Sequence, residues 1–229
     1  MNLLHLPRFQ RWVSRHQLCR VEGPEDRFAL TFDDGPSPTN TPALLDLLAR
    51  HAARATFFVL GPHVRRHPGL VRRMIDEGHE VGMHGHHHVP PLLFSSTWLR
   101  GQVRRAEAAI ADAAGASPLF YRAPFGLLSP AQARLVRAWG FVPVLGDVYP
   151  EDAARPGAER IATETLARLR PGSILILHDS SVIGDGGREQ TIAAMERILS
   201  TMCTRGIRPV TLRDLIATSH EAPDAKTNG

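Results

Sequence analysis

Near-continuous apolar runs recur along this chain, each followed by a stretch with helical spacing. The runs cover 28–31, 55–60, 79–83, 119–122, 141–145, 173–177 and 208–212. Helices are expected between them near 41–51, 64–77, 97–114, 130–139, 157–170 and 188–204, with a last short helix over 212–217. A strand that is apolar throughout is covered on both faces, as happens when a parallel sheet is flanked by helical crossovers. The pattern therefore predicts an α/β fold with a parallel sheet. The 229 residues, 43% of them hydrophobic, suffice for one well-filled core, and no linker or repeat divides them. Residues 1–25 are expected as an N-terminal helical extension, 26–217 as the folded domain and 218–229 as a polar, disordered tail.

Polar residues favour the ends of these runs. Asp33 and Asp34 follow the first, His84, His86, His87 and His88 the third, and Arg122 ends the fourth. Asp147 and Asp152 follow the fifth, and His178 and Asp179 the sixth. In a parallel barrel these positions share the C-terminal rim, where active sites are built. The segment Thr31-Phe32-Asp33-Asp34-Gly35-Pro36 is the most telling, because Gly35 and Pro36 break the strand directly after two carboxylates. Two anions side by side require a cation or a proton between them. One Asp binding a metal while its neighbour acts as a base satisfies that requirement. A capped turn is the plain alternative.

His84 and His88 are four residues apart, so a helical turn or tight loop can aim both at one ion. By spacing alone, His86 or His87 can substitute for His88. Two His and one Asp with open positions suit zinc and also ferrous iron, so the donor set does not choose the metal. Arg122 is placed to hold a carboxylate ionised. The turn after it, Pro124-Phe125-Gly126, can offer a backbone N–H to a developing oxyanion. His178, beside a metal and two carboxylates, is a candidate general acid.

Other classes are disfavoured. The net charge of +4 is carried almost wholly by arginine, Lys226 being the sole lysine, and no basic run interleaves with aromatics, so no nucleic-acid partner is expected. Cys19 and Cys203 form no Cys-x-x-Cys pair, which argues against a thiolate zinc site or a disulfide framework. No integral membrane span is expected. Pro7, Arg8, Gln10 and Arg11 interrupt any signal-peptide core, so the expectation is a cytoplasmic protein. Phe9, Trp12 and Val13 among arginines leave peripheral membrane association open, and the oligomeric state is unset.

Taken in order, Thr-Phe-Asp-Asp-Gly at 31–35, His-x-x-x-His at 84–88, Arg-x-Pro-Phe at 122–125 and the apolar strand ending in His178 resemble the polysaccharide deacetylases, the chitin deacetylase-like group of carbohydrate esterase family 4. The resemblance spans residues 26–216. It implies a distorted (β/α)7 barrel and a metal-dependent hydrolase that removes an N-acyl group, N-acetyl by expectation, from an amino sugar or oligosaccharide. It implies Asp34, His84 and His88 as ligands of a divalent metal, zinc by expectation, with cobalt, nickel, iron or manganese as alternatives. It further implies Asp33 as base, Arg122 holding Asp33, His178 as acid and Asp152 supporting His178, with Asp147 competing for that last role. Phe125 and Ile176 are expected to contact substrate. Two positions depart from the family pattern. Gly85 stands where Ser or Thr is usual, and the Asp-x-x-Asp-Trp element reads Tyr149-Pro150-Glu151-Asp152-Ala153. Loss of the Trp at Ala153 should leave more room around the acyl group. Two other readings are a small-molecule amidase or deformylase on the same barrel and a non-catalytic carbohydrate-binding member. Retention of both Asp33 and His178 speaks against the latter, because binding needs neither.

Overall fold

Strand β1 (Arg27–Asp33) organises the sheet, because among the described residues it alone has three strand neighbours. A computed structural model describes residues 7–181 and 187–218 of the chain. In chain order its elements are α1 (Pro7–Val13), β1, α2 (Asn40–Arg50), β2 (Thr56–Val59), α3 (Gly61–Arg66), α4 (Pro68–Asp76), β3 (Glu80–Met83), α5 (Ser96–Ala114), β4 (Phe120–Tyr121), α6 (Pro130–Ala138), β5 (Val142–Pro143), α7 (Ala158–Arg168), β6 (Ile174–His178), α8 (Glu189–Thr204), β7 (Arg208–Val210) and α9 (Leu212–Ala217). The strand order is β5-β4-β3-β2-β1-β6, with β7 paired to the start of β1, and every pairing is parallel. All C-terminal strand ends therefore lie on one rim. Register sets Asp33 opposite both Phe58 and His178, and Met83 opposite Tyr121.

The edges β5 and β6 are brought together by the N-terminal segment. Leu18 bridges Val144 and Arg20 bridges Ser173, while Val148 pairs with Leu175. The N–H of Leu18 donates to the Pro143 carbonyl at 2.8 Å, and that of Val21 to the Gly172 carbonyl at 2.9 Å. The result is the expected α/β architecture, a distorted barrel of parallel strands with helices outside.

Alternation along β1 sorts its side chains between two cores. Phe28, Leu30 and Phe32 face outward into the larger core, shared with Leu44 and Leu48 of α2, Met74 of α4 and Ile198 of α8. Ala29 faces inward with Phe58, Phe120, Val144 and Ile174, and Leu212 and Leu215 of α9 join this inner cluster. Thr31 and Asp33 share the inward parity of Ala29, so the barrel interior changes from apolar to polar toward the rim.

One expected helix differs. The helix expected over 64–77 is two helices, α3 and α4, broken at His67 (φ −132°, ψ 53°). Pro68 disfavours helical geometry in the residue before it and lacks the N–H that would continue the ladder. Strands β4 and β5 are shorter than expected, at two residues each. Apart from Thr218, the tail expected over 218–229 lies outside the described residues. No described helix is long and apolar enough to cross a membrane.

Gly172 marks where the N-terminal segment meets the barrel. Its φ is +81°, and a Cβ there would stand 2.1 Å from the Val21 carbonyl oxygen. Gly172→Ala should destabilise the fold by about 3 kcal/mol, from overpacking plus the positive φ. Thermal unfolding should show a melting temperature lower by roughly 10 °C; an unchanged value would mean that this closure is not tight.

Candidate active site

The two adjacent aspartates go different ways. Asp33 ends β1 with its carboxylate on the inner face. Asp34 has left the strand at φ +78°, a conformation a non-glycine residue adopts only when its surroundings hold it there. His63 on α3 helps: its Nδ1 lies 2.8 Å from the Asp34 carbonyl oxygen, where only the ring N–H can donate. Gly35 follows because a Cβ at that position would come within 2.3 Å of the buried Asp179 carboxylate.

Asp33 is paired with Arg122. The Nη1 of Arg122 donates to Asp33 Oδ1 and to Thr31 Oγ1, both at 2.7 Å, and Thr31 Oγ1 donates to the Leu175 carbonyl at 2.6 Å. The arginine is 2% exposed, and its guanidinium carbon lies 4.1 Å from the Phe58 ring centroid. The aromatic face thus offsets part of the desolvation of a cation in the barrel interior.

Asp34 instead meets two imidazoles. Its Oδ1 is 3.5 Å from His84 Nε2 and 3.2 Å from His88 Nε2, and the three candidate ligand atoms lie within 4.8 Å of one another. His84 Nδ1 lies 3.0 Å from the Arg122 carbonyl oxygen, so its ring N–H donates there and Nε2 presents its lone pair. Burial, then the nearby cationic Arg122 and His178, pushes the His84 pKa down to about 3. Burial and then His84 push His88 to about 3 as well. Burial raises Asp34 to about 6, His178 opposing and Asp33 adding to the rise. Its Oδ1 is buried and accepts no hydrogen bond among the described residues. Two neutral nitrogen lone pairs and an unsatisfied carboxylate oxygen converge on one point, and this donor set fits a divalent cation. The other histidines of the run lie elsewhere. His86 packs against Gly61 under Arg65 (Nη2 to Nε2 2.9 Å), and the His87 N–H donates to Gln102 Oε1.

His178 ends β6 beside Asp33. Its Nδ1 is 2.7 Å from Asp152 Oδ1, its backbone N–H donates to Asp152 Oδ2 at 2.9 Å, and Thr191 Oγ1 donates to that same oxygen. Burial disfavours the His178 imidazolium, but Asp152, by charge and hydrogen bond, outweighs it and raises the pKa to about 9. Asp147 lies at the other end of β6, where it accepts from Ser173 Oγ and the Ile174 N–H. Both acids follow β5 in sequence, and the geometry gives His178 to Asp152.

Phe125 is 51% exposed at φ +60°, with its ring centroid 4.5 Å from that of His88. Ile176 shares the inner face of β6 with His178 and packs against Gly146, where a Cβ would be 2.8 Å from Ile176 Cδ1. Sequence reasoning missed His63 and Thr191 and gave no role to Tyr149, whose ring centroid is 6.0 Å from that of His178. No local pattern marks the first two; Tyr149 was visible as a departure from the family pattern.

The family model described as polysaccharide deacetylase matches residues 20–144. A peptidoglycan-N-acetylglucosamine deacetylase of Bacillus cereus is 36% identical over 202 residues, covering 87% of this chain and 92% of the relative. A chitooligosaccharide deacetylase of Bradyrhizobium sp. is 38% identical over 185 residues, covering 77% and 84%. The crystal structure of a peptidoglycan N-acetylglucosamine deacetylase in complex with 4-naphthalen-1-yl-N-oxidanyl-benzamide superposes with a TM-score of 0.84 at 31% identity, covering 92% of this chain and 97% of that one. The chain belongs to the polysaccharide deacetylase family, carbohydrate esterase family 4. It is accordingly a hydrolase of the metal-dependent class that removes N-acetyl groups from amino sugars.

Two predictions test the site. Asp34→Asn should weaken divalent-metal binding by more than about a hundredfold, the upper end of what altering a supporting residue alone does. Asp33→Asn should leave affinity within a few-fold, and calorimetric titration separates the two outcomes. The second concerns the His178 pair. Its folded pKa is raised to about 9, so its stabilisation is full below the unfolded value and is lost as pH rises through about 9. In Asp152→Asn, burial remains without the anion, and the His178 imidazole resonance of the metal-free protein should titrate well below its wild-type position. An unmoved resonance would remove Asp152 as its partner.

Proposed function

We propose that this chain hydrolyses the N-acetyl group of glucosamine units in a short oligosaccharide, using a divalent ion, zinc in our reading, held by Asp34, His84 and His88. The observation that carries the reading is the division of labour between adjacent aspartates: Asp33 faces a buried arginine while Asp34 faces two neutral imidazoles. When bound, the ion supplies Lewis acidity, polarising an acyl carbonyl and easing deprotonation of water. Asp33 is the base that takes the proton from the attacking water, with Arg122 holding it in place and countering its charge. The backbone N–H of Phe125, which makes no hydrogen bond within the described residues, donates to the carbonyl oxygen as negative charge develops there. His178, kept as an imidazolium by Asp152, gives its Nε2 proton to the departing amine nitrogen. An amide nitrogen leaves poorly without that proton, so the acid is part of the chemical step. Ile176 lines the acyl side of the site on the same face as His178.

The choice of glucosamine follows the relatives named for N-acetylglucosamine and chitooligosaccharide, and sequence coverage of most of their length supports it. The test is acetate release from N-acetylated chitooligosaccharides. Chelation should abolish it and zinc or cobalt restore it, while Asp33→Asn should lower kcat by about a thousandfold, within the range of general acid–base catalysis. Full turnover by a demonstrably metal-free preparation would falsify the mechanism.

A further inference from the structure

We propose that Tyr149 forms the aromatic side of the acyl pocket in this chain, replacing the one absent at Ala153, and that it sets which acyl groups are accepted. The proposal rests on the N-deacetylase reading above and specifies its acyl selectivity. Ala153 lies in the turn Asp152–Ala154, is exposed and offers only a methyl group. Four residues earlier, Tyr149 is partly buried and presents its ring to His178 at an interplanar angle of 64° and a centroid separation of 6.0 Å. An aromatic side chain therefore stands beside the proposed acid, reached from the opposite side of Asp152.

The backbone carrying this ring is held on two sides. Val148 pairs with Leu175 on β6, and its carbonyl accepts the Ile176 N–H at 2.9 Å. From behind, Arg168 of α7 donates to the Asp147 carbonyl at 3.2 Å and to the Tyr149 carbonyl at 3.4 Å. Gly146, on the same loop, packs against Ile176, so the loop and β6 meet along one corner of the rim. The ring is therefore mounted on backbone held at both sides, and a well-positioned aromatic surface is what shape selection requires.

Chemistry favours tyrosine at this point. Burial, then Asp152, Glu151, Asp33 and Asp34, raises its phenol to about 12, so it remains a neutral donor at ordinary pH. Its hydroxyl has no hydrogen-bond partner among the described residues. An aspartate here, as in the family element, would add another anion beside Asp152, Glu151, Asp33 and Asp34. Tyrosine removes that charge and adds apolar surface beside the acyl group, with an O–H left over for an oxygen of the sugar.

The experiment uses two readouts on the zinc-loaded protein. The first is the affinity of acetohydroxamate and butyrohydroxamate, metal-binding acyl mimics that need no turnover. The second is kcat/KM for N-acetyl- and N-butyryl-chitobiose. Tyr149→Ala should reduce the acetyl-over-butyryl preference about tenfold in both, as expected for losing shape selection on one or two methylenes. Tyr149→Phe should keep the preference, and zinc affinity should be unchanged in both variants. If Tyr149→Ala does not fold, Tyr149→Leu serves in its place and should give a partial loss. A folded Ala or Leu variant with the full wild-type preference overturns the assignment. Should the wild type hydrolyse neither amide while its hydroxamate preference still depends on Tyr149, the substrate reading fails and the assignment of Tyr149 stands.

Discussion

The buried contact between Arg122 and Asp33 is the interaction on which the rest of the site depends. A guanidinium inside a barrel is costly unless its charge is met, and here Asp33 meets it from above and the Phe58 ring covers its face. Removing either partner would strand the other charge in the interior, at a cost of about 3–5 kcal/mol. The same arginine acts through its backbone, whose carbonyl accepts from His84. One residue thereby holds Asp33, the proposed base, through its side chain and His84, a candidate metal ligand, through its main chain, so the two keep a fixed relation.

Around that contact the rim keeps its charges apart. Four buried acids, Asp33, Asp34, Asp152 and Asp179, crowd one end of the barrel; Asp179 accepts from the Thr41 hydroxyl, and each of the other three has its own kind of partner. A permanent cation faces the first, two neutral imidazoles the second, and an imidazole raised to about 9 the third. Opposite environments applied to similar side chains produce distinct roles, the usual way a single site holds both an acid and a base. Parallel strand register makes this arrangement compact, since Asp33 and His178 are direct neighbours across β1 and β6.

Much of this was legible from local pattern. Apolar strands with polar ends located the rim, and the spacing of His84 and His88 matched the cluster that includes Asp34. What escaped was decided over long distances or by backbone detail. Leu18 and Arg20 carry no period that announces pairing with Val144 and Ser173. Asp147 and Asp152 are indistinguishable by type and differ only in which end of β6 they reach. Pro68 divides a stretch whose apolar spacing continues across it. The loop after β5 looked like a loss, because Ala153 stood out as a missing aromatic while Tyr149 showed its value only beside His178.

The strap that joins β5 to β6 has a consequence for how the molecule is made. Arg20 bonds a carbonyl 151 residues later, and Thr31 one 144 residues later. During synthesis β1 and β2 can pair early, yet one edge of β1 must wait for β6 to emerge. Contacts this distant in sequence form slowly, and an unpaired apolar strand edge is exposed to wrong partners meanwhile. The catalytic rim thus has to wait for β6, and until then the nascent chain carries an open apolar edge on β1. Pulse-labelled hydrogen exchange during refolding should find amides between β1 and β2 protected before those between β1 and β6; simultaneous protection would mean that the barrel closes in a single step.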